Sequence, residues 1–398
     1  MSSRAVVVLS LAGFASAAAQ RCADPLLPLL AEYFGSTAGG ASAVITAFAV
    51  AYGALQLVNG PIADRVGKFR MIFWVTAISA AGNLACAFAP TLPLLVLARF
   101  ASGATIGAIA PLAIAWIGDA VPYERRQAVL ARMLIGFTLG GALSTAAAGA
   151  LGEHFGWRSV FFALSGLYVV VALLLWHELR GNPATQHTAP RSSLTLLQSF
   201  PAMFGLLRDP WVRIVLATVS VEGALATGGL AFAAFHGHKV LGLSITASGV
   251  LVAFAALGGL LYAAFAGRLV PRLGERGLVI GGGLLLCVGL PGFAAAPSAL
   301  WAIPCLVAQG MGLMMMHNTL QVHATQMASQ SRGAAMALFA FSLFTGQALG
   351  VWLASLMVDA RGTVPVFLAA GGGLVLLAYV FQRQLGLRLL MRDVKPVN

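Results

Sequence analysis

Long apolar runs recur along the whole of this 398-residue chain, and each is about long enough to cross a bilayer. A helix needs roughly 20 apolar residues for that, and only helices or closed barrels satisfy their backbone polar groups in lipid. Charged residues make up 9% of the chain, against roughly 25% in ordinary soluble domains. The sequence therefore predicts an all-α integral membrane protein with twelve transmembrane helices, called spans 1 to 12. They lie near residues 5–32, 40–60, 71–90, 92–118, 127–151, 158–178, 211–235, 244–266, 278–297, 299–326, 333–358 and 363–382.

The excess of basic residues follows the turns between these spans. The chain has 24 Lys and Arg residues against 12 Asp and Glu. If the N-terminus is cytoplasmic, only Arg158, Lys239 and Arg361 lie outside, while Arg21 and Arg99 lie within spans. Cytoplasmic loops are enriched in Lys and Arg, so the net charge of +12 reflects topology and not affinity for nucleic acid. We predict a multi-pass protein of the bacterial inner (cytoplasmic) membrane with both termini in the cytoplasm.

The spans divide into two related halves. The one long polar stretch, 179–210, predicts a cytoplasmic linker with a surface-lying helix around 193–207, between an N-terminal half at 1–178 and a C-terminal half at 211–398. A shift of 207 residues aligns 34–67 with 241–274 without a gap. The identical residues are Gly35 and Gly242, Ala49 and Ala256, Gly60 and Gly267, Arg65 and Arg272, and Gly67 and Gly274. Such repeats predict two pseudo-symmetric six-helix halves around a central cavity, as in alternating-access carriers.

The most specific motif is the turn after span 2, Gly-Pro-Ile-Ala-Asp-Arg-Val-Gly-Lys at 60–68. Gly60 and Gly67 frame the turn, an acid–base pair lies between them, and Gly267 to Gly274 is a degenerate copy. By itself the turn could be only a solvated basic loop, and the copy favours a gate element instead. At these residues the chain resembles the major facilitator superfamily, whose signature loop has this pattern.

That resemblance implies a role for each charged residue of the gate loop. In the family the loop latches the cytoplasmic side in the outward-open state. Asp64 would then face the N-terminal end of span 11, where a helix dipole favours a carboxylate. Arg65 would pair with Asp119 at the end of span 4, and Arg272 is the corresponding residue of the second copy.

Two further features are similar to those of the twelve-helix drug/proton antiporters. Span 4 carries Arg99 at membrane depth, where an arginine normally faces a wet cavity or a carboxylate. Span 5 is dense in glycine but departs from the antiporter motif, because Gly140-Gly141-Ala142 stands where a Gly-Pro pair is expected. The resemblance implies proton antiport, and this departure puts antiport in question more than membership of the superfamily.

Few ionisable groups remain inside the membrane, and these are the candidates for ion coupling. Asp24 and Glu222 are the acids placed deep in spans, and such residues are functional candidates by default. Arg21 lies one helical turn from Asp24, so the two can also form a purely structural pair. The polar residues of span 10 are candidate cavity groups, although a structural role for its histidines is favoured: His317, Asn318, Gln321 and His323.

These features predict a secondary active transporter without cofactor or metal, monomeric, whose partners are a small-molecule substrate, protons and the bilayer. The spans hold many Ala, Gly, Phe and Leu residues and few polar ones, which favours efflux of small amphipathic or hydrophobic compounds. The alternative is a carrier for one defined metabolite, such as a sugar or amino acid derivative. An integral membrane enzyme is less favoured, because no nucleophile–base or metal motif is visible.

Overall fold

The computed structural model describes residues 3–186, 196–328 and 332–393. In these ranges eleven helical segments are long and apolar enough to cross a membrane. The longest contains two spans, since Gly274 interrupts it with a non-helical φ of 63°. The twelve spans and the all-α membrane fold are thus confirmed. The helices are Arg4–Tyr33, Ala38–Val66, Lys68–Phe88, Leu92–Ala120, Val129–Phe155 and Trp157–Gly181 for spans 1 to 6, Pro210–Lys239 for span 7, Ile245–Ala294 for spans 8 and 9, and Ala299–Gln326, Gly333–Arg361 and Val364–Arg388 for spans 10 to 12.

Spans 1 and 7 both contain turns that are not α-helical. Span 1 is α-helical over Ser3–Arg21, forms a 3-10 turn at Asp24–Leu26, and is α-helical again over Leu27–Tyr33. Pro25 accounts for the break, because proline has no N–H to donate and clashes with the preceding turn. Span 7 is α-helical over Pro210–Glu222 and then widens into a π-helix over Gly223–Thr227. Both irregularities lie beside a candidate coupling acid.

The sharp turns of the chain follow the internal repeat. Positive φ angles occur only at glycines among the described residues, and these glycines form three pairs about 207 residues apart. Gly67 (φ 95°) and Gly274 (φ 63°) end spans 2 and 8, the equivalent helices of the two halves. The other pairs are Gly35 with Gly242, and Gly156 with Gly362. Glycine has no Cβ and adopts this backbone freely, so the repeat preserves the residues on which its turns depend.

Close helix contacts repeat in the same way. A Cβ on Gly103 would collide with the carbonyl of Phe48, and a Cβ on Gly310 would collide with the carbonyl of Ala255. The first contact joins spans 2 and 4, and the second joins spans 8 and 10. In lipid no hydrophobic effect drives helices together, so close approach through small residues provides the packing. Glycine is therefore required at the helix crossings as well as at the turns.

The described chain forms two compact units. The N-terminal unit comprises Met1–Leu206 with Ala233–Ala253, and the C-terminal unit comprises Leu207–Phe232 with Phe254–Asn398. The ends of spans 7 and 8 around 233–253 therefore pack with the first six spans, whereas the sequence-based halves, 1–178 and 211–398, stay a prediction. Of the predicted linker at 179–210, residues 187–195 lie outside the described residues. A helix at Leu196–Gly205 lies within the expected surface helix at 193–207, whose first three residues fall outside the described part.

Candidate functional site

A buried Glu–His pair is the most pronounced ionisable feature of the C-terminal unit. Glu222 Oε2 lies 2.8 Å from Nδ1 of His317, joining the middle of span 7 to span 10. The side chain of Glu222 is 1% exposed and that of His317 is 19% exposed. Oε1 of Glu222 is buried and has no hydrogen-bond partner in the described part of the chain. Within the described residues the carboxyl group thus has one polar partner, and that partner is a side chain that can be neutral or protonated.

The backbone next to Glu222 is held in an unusual conformation. The π-helix of Gly223–Thr227 begins immediately after this acid. The Thr227 hydroxyl donates a 2.6 Å hydrogen bond to the Gly223 carbonyl, which competes with regular helical pairing. Short π-helical insertions occur frequently at functional sites. The sequence places Glu222 in the membrane, but the π-helix is visible only in the structure.

A second buried acid lies in the N-terminal unit. Arg21 Nη1 is 3.1 Å from Asp24 Oδ2, so the i, i+3 pair expected from the sequence forms. Asp24 is 1% exposed and Arg21 is 18% exposed. The partner of Asp24 is a permanent cation, because an arginine is not deprotonated in proteins. The two buried acids therefore differ in kind, since only the partner of Glu222 can change its charge.

Arg99 is shielded from water, so it does not line the wet cavity that its depth suggests, although it acts electrostatically on the carboxylate of Asp24. It is fully buried, and it donates to the carbonyls of Ala19 (3.1 Å) and Val44 (3.4 Å). Its guanidinium carbon lies 4.1 Å from the ring centroid of Phe48. The first helix of span 1 ends at Arg21, so the carbonyl of Ala19 is one of the groups that such an end leaves unpaired. The break in span 1 thus supplies the partner that the sequence could not show.

The gate loop forms a different ion pair from the one expected. Lys68, not Arg65, contacts Asp119, and Lys68 Nζ is also 3.9 Å from Asp64 Oδ1. Lys68 is the first residue of span 3, beyond the Gly67 turn, whereas Arg65 lies in the last helical turn of span 2 and is exposed. Asp64 and Lys68 are close in the sequence but lie on either side of the Gly67 turn, so helical spacing does not predict their contact. The expected contact of Asp64 with span 11 stays a prediction.

The gate turns are shorter than the sequence analysis expects. Gly60 and Gly267, expected to open the turns, both lie inside helices, and this interpretation is wrong. Span 2 continues through Pro61 to Val66, because no residue before Gly67 requires a positive φ. The direction of the chain changes only at Gly67 and at its counterpart Gly274. Arg272, just before Gly274, is exposed and forms no ion pair within the described ranges.

The polar residues of span 10 do not gather into one cluster. His317 faces Glu222, whereas His323 lies 3.1 Å from Glu275 and 5.2 Å, centroid to centroid, from the ring of Trp211. Asn318 is half-buried and Gln321 is exposed. The sequence does not indicate either Glu–His contact, because the acids are 95 and 48 residues away from their histidines in the chain.

The apolar spans and the repeated turns define a multi-pass membrane protein. The model of the Major Facilitator Superfamily matches residues 9–331, and the chain belongs to this family. It is therefore a transporter and not an enzyme, as the sequence analysis predicts.

The curated relatives include transporters of different kinds. The chain is 29% identical over 199 residues to transporter YgaY of Escherichia coli O157:H7, a match that covers 50% of each protein. It is 27% identical over 176 residues to the multidrug export protein EmrB of Escherichia coli, covering 44% of this chain and 34% of that protein. A gallate transporter of Pseudomonas putida is 28% identical over 178 residues, covering 42% and 40%. The chain thus spans about half the length of the first curated relatives it matches, or less.

The fold is also shared with solved transporters. A crystal structure of the peptide transporter POT superposes with a TM-score of 0.78, covering 95% of this chain and 93% of that one. The sequence identity is 16%, so this likeness supports the fold alone.

Proposed function

We propose that this chain is a secondary active transporter that works by alternating access and exports small amphipathic or hydrophobic compounds in exchange for protons. The observation that carries the proposal is the buried contact between Glu222 and His317. One proton can be held between such a carboxylate and imidazole, and its release changes the charge of a site that is shielded from bulk water. We place the protein in the bacterial inner membrane with both termini in the cytoplasm.

Two observations favour export of apolar compounds. The spans are poor in charge, and the ion pairs within them are few and already formed between protein side chains. One relative is named a multidrug export protein. A second candidate function, transport of one defined metabolite, is favoured by the relative named a gallate transporter. Arg21 is partly exposed, and it would be the cation that binds a carboxylate in that case.

The experiment that tests this function is proton release from the full chain, purified in detergent and kept in weak buffer. Addition of an apolar cation or an apolar neutral drug should release protons in proportion to the bound compound, and gallate should not. Release on addition of gallate alone would favour the metabolite carrier. Binding of a compound, shown separately, without any release would overturn proton exchange while leaving the fold as it is.

The gate loop provides an independent prediction. We expect Asp64→Asn to slow transport several-fold while leaving the amount and melting temperature of the purified protein unchanged. Asp64 is partly exposed, so it should contribute little to the stability of the fold. Transport should be affected because the signature loop of the family, in which Asp64 lies, latches the cytoplasmic side. Counterflow in proteoliposomes measures the rate.

Asp119→Asn is the matched control for the gate loop. It removes the other acid beside Lys68, and Asp119 is 53% exposed. The family resemblance gives the contact with span 11 to Asp64 and not to Asp119, so we expect a smaller effect than that of Asp64→Asn. Wild-type flux in Asp64→Asn would mean that the charged loop only fixes the topology of the chain and does not act as a gate.

A further inference from the structure

Each unit has a basic cavity at those ends of its own spans that the charge distribution assigns to the cytoplasm. The cavity of the N-terminal unit has a volume of about 500 Å³ and lies between the Gly67 turn and the end of span 6. Among the described residues, Arg70 and Arg180 line it and no acidic residue does. Trp74 and Trp176, also in its lining, are 53% and 41% exposed. The guanidinium carbon of Arg180 lies 4.2 Å from the ring centroid of Trp176.

The C-terminal unit has a cavity of similar construction. Its volume is about 400 Å³, and it lies between the Gly274 turn and the end of span 12. Arg276 and Arg388 line it together with His323 and one acid, Glu275. The guanidinium carbon of Arg388 lies 4.2 Å from the ring centroid of a tryptophan, Trp211. Two arginines against one glutamate leave a net positive charge whether or not the histidine is protonated.

The two cavities correspond under the internal repeat. The 207-residue shift takes Val66 and Gly67 to Leu273 and Gly274, which line the second cavity. The arginines, however, are not equivalent, because the same shift takes Arg70 to Gly277. Inheritance of the repeat therefore explains the shape of both cavities but not their charge. That both contain two arginines, one of them stacked on a tryptophan, points to a shared ligand of negative charge.

We propose that both cavities bind the phosphate-bearing headgroups of anionic phospholipids of the adjacent leaflet. Arginine presents several donors in a planar fork that matches a phosphate group. Basic pockets at the cytoplasmic side of transmembrane helices bind such headgroups, and tryptophan is enriched at this depth. Each cavity adjoins exposed apolar side chains on which acyl chains can lie, such as Trp74 in the first and Leu273 (44% exposed) in the second. No acid lines the first cavity within the described part of the chain, so it should bind more tightly.

The test is native mass spectrometry of the full chain in neutral detergent, titrated with phosphatidylglycerol or with zwitterionic phosphatidylcholine. A basic residue near an anionic surface contributes about 1 kcal/mol, so removal of each arginine should weaken binding of phosphatidylglycerol about fivefold. We expect the double variant Arg70→Gln/Arg180→Gln to lose the tighter site. Arg158→Gln is the control, because Arg158 stacks on Trp157 (4.4 Å) at the opposite end of span 6.

The second cavity is tested in the same way with Arg276→Gln/Arg388→Gln. Its control is Arg383→Gln, on the same span as Arg388 and stacked on Tyr379 at 4.9 Å. Unchanged melting in detergent without lipid shows that a variant is folded. Equal binding of the two lipids, or losses in the double variants no larger than in their controls, would overturn the proposal. Complete displacement of the lipid by millimolar inorganic phosphate would assign the cavities to free phosphate and overturn the lipid assignment.

Discussion

Glu222→Gln is expected to fold and insert normally but to lose pH-driven transport, down to the background of protein-free vesicles. Glutamine has the size of glutamate and can still hydrogen-bond to His317, so the contact between spans 7 and 10 is retained. It cannot take up or release a proton, and ligand-induced proton release should disappear with it. Uptake of substrate into proteoliposomes under an imposed pH gradient measures the loss, and counterflow without a gradient should persist.

Glu275→Gln is the matched control for this variant. Glu275 also contacts a histidine of span 10, at 3.1 Å from His323, but its side chain is 45% exposed against 1% for Glu222. An exposed carboxylate exchanges protons directly with bulk water, so the proton of such a group is not carried across the membrane during substrate transport. We expect Glu275→Gln to keep proton coupling, and a loss equal to that of Glu222→Gln would show that any Glu–His contact in this unit matters.

Asp24→Asn separates the two buried acids. The arginine beside Asp24 keeps its charge, so we expect this variant to disturb span 1 and substrate binding more than the coupling to protons. The opposite result, with coupling lost in Asp24→Asn and kept in Glu222→Gln, would move the carrier to span 1. If both variants transport at the wild-type rate under a pH gradient, neither acid is the carrier and the proposed coupling mechanism is wrong.

The number of spans and the repeat could be read from the sequence because both depend on local properties. An apolar run of sufficient length predicts a span whatever it packs against. The aligned glycines predicted the turns at Gly67 and Gly274. The backbone there has a positive φ, which glycine adopts more easily than other residues do. The same reasoning failed at Gly60 and Gly267, where glycine is simply part of a helix. A glycine in a motif does not by itself show whether its position needs a positive φ or is simply part of a helix.

The site was less predictable because its contacts join distant segments. Glu222 and His317 were each named from the sequence, but 95 residues separate them and no periodicity links span 7 to span 10. The depth of Arg99 predicts water or an acid beside it, but its hydrogen bonds to the backbone go to carbonyls. One of these carbonyls belongs to Ala19, 80 residues earlier in the chain, and it is left unpaired by the end of the first helix of span 1. Buried charges require partners, and only the packing of the spans decides which groups these are.

Gly310→Ala is expected to destabilise the protein by about 1–3 kcal/mol, the usual cost of forcing a methyl group into a packed contact. The added Cβ would meet the carbonyl of Ala255 on span 8, and backbone cannot rotate away as a flexible side chain can. Gly103→Ala, its counterpart on span 4, should show the same sign because its Cβ would meet the carbonyl of Phe48. The midpoint of unfolding in a mild detergent measures both.

Gly372→Ala provides the control that makes this test decisive. Gly372 lies within the helix of span 12 and is exposed, and a Cβ there would meet nothing within 4 Å. Alanine favours a helix by up to about 1 kcal/mol over glycine, so this variant should melt at or above the wild-type temperature. Opposite signs at Gly310 and Gly372 separate close helix approach from helix propensity. A wild-type or higher melting temperature in Gly310→Ala would instead mean that spans 8 and 10 do not cross as closely as the structure places them.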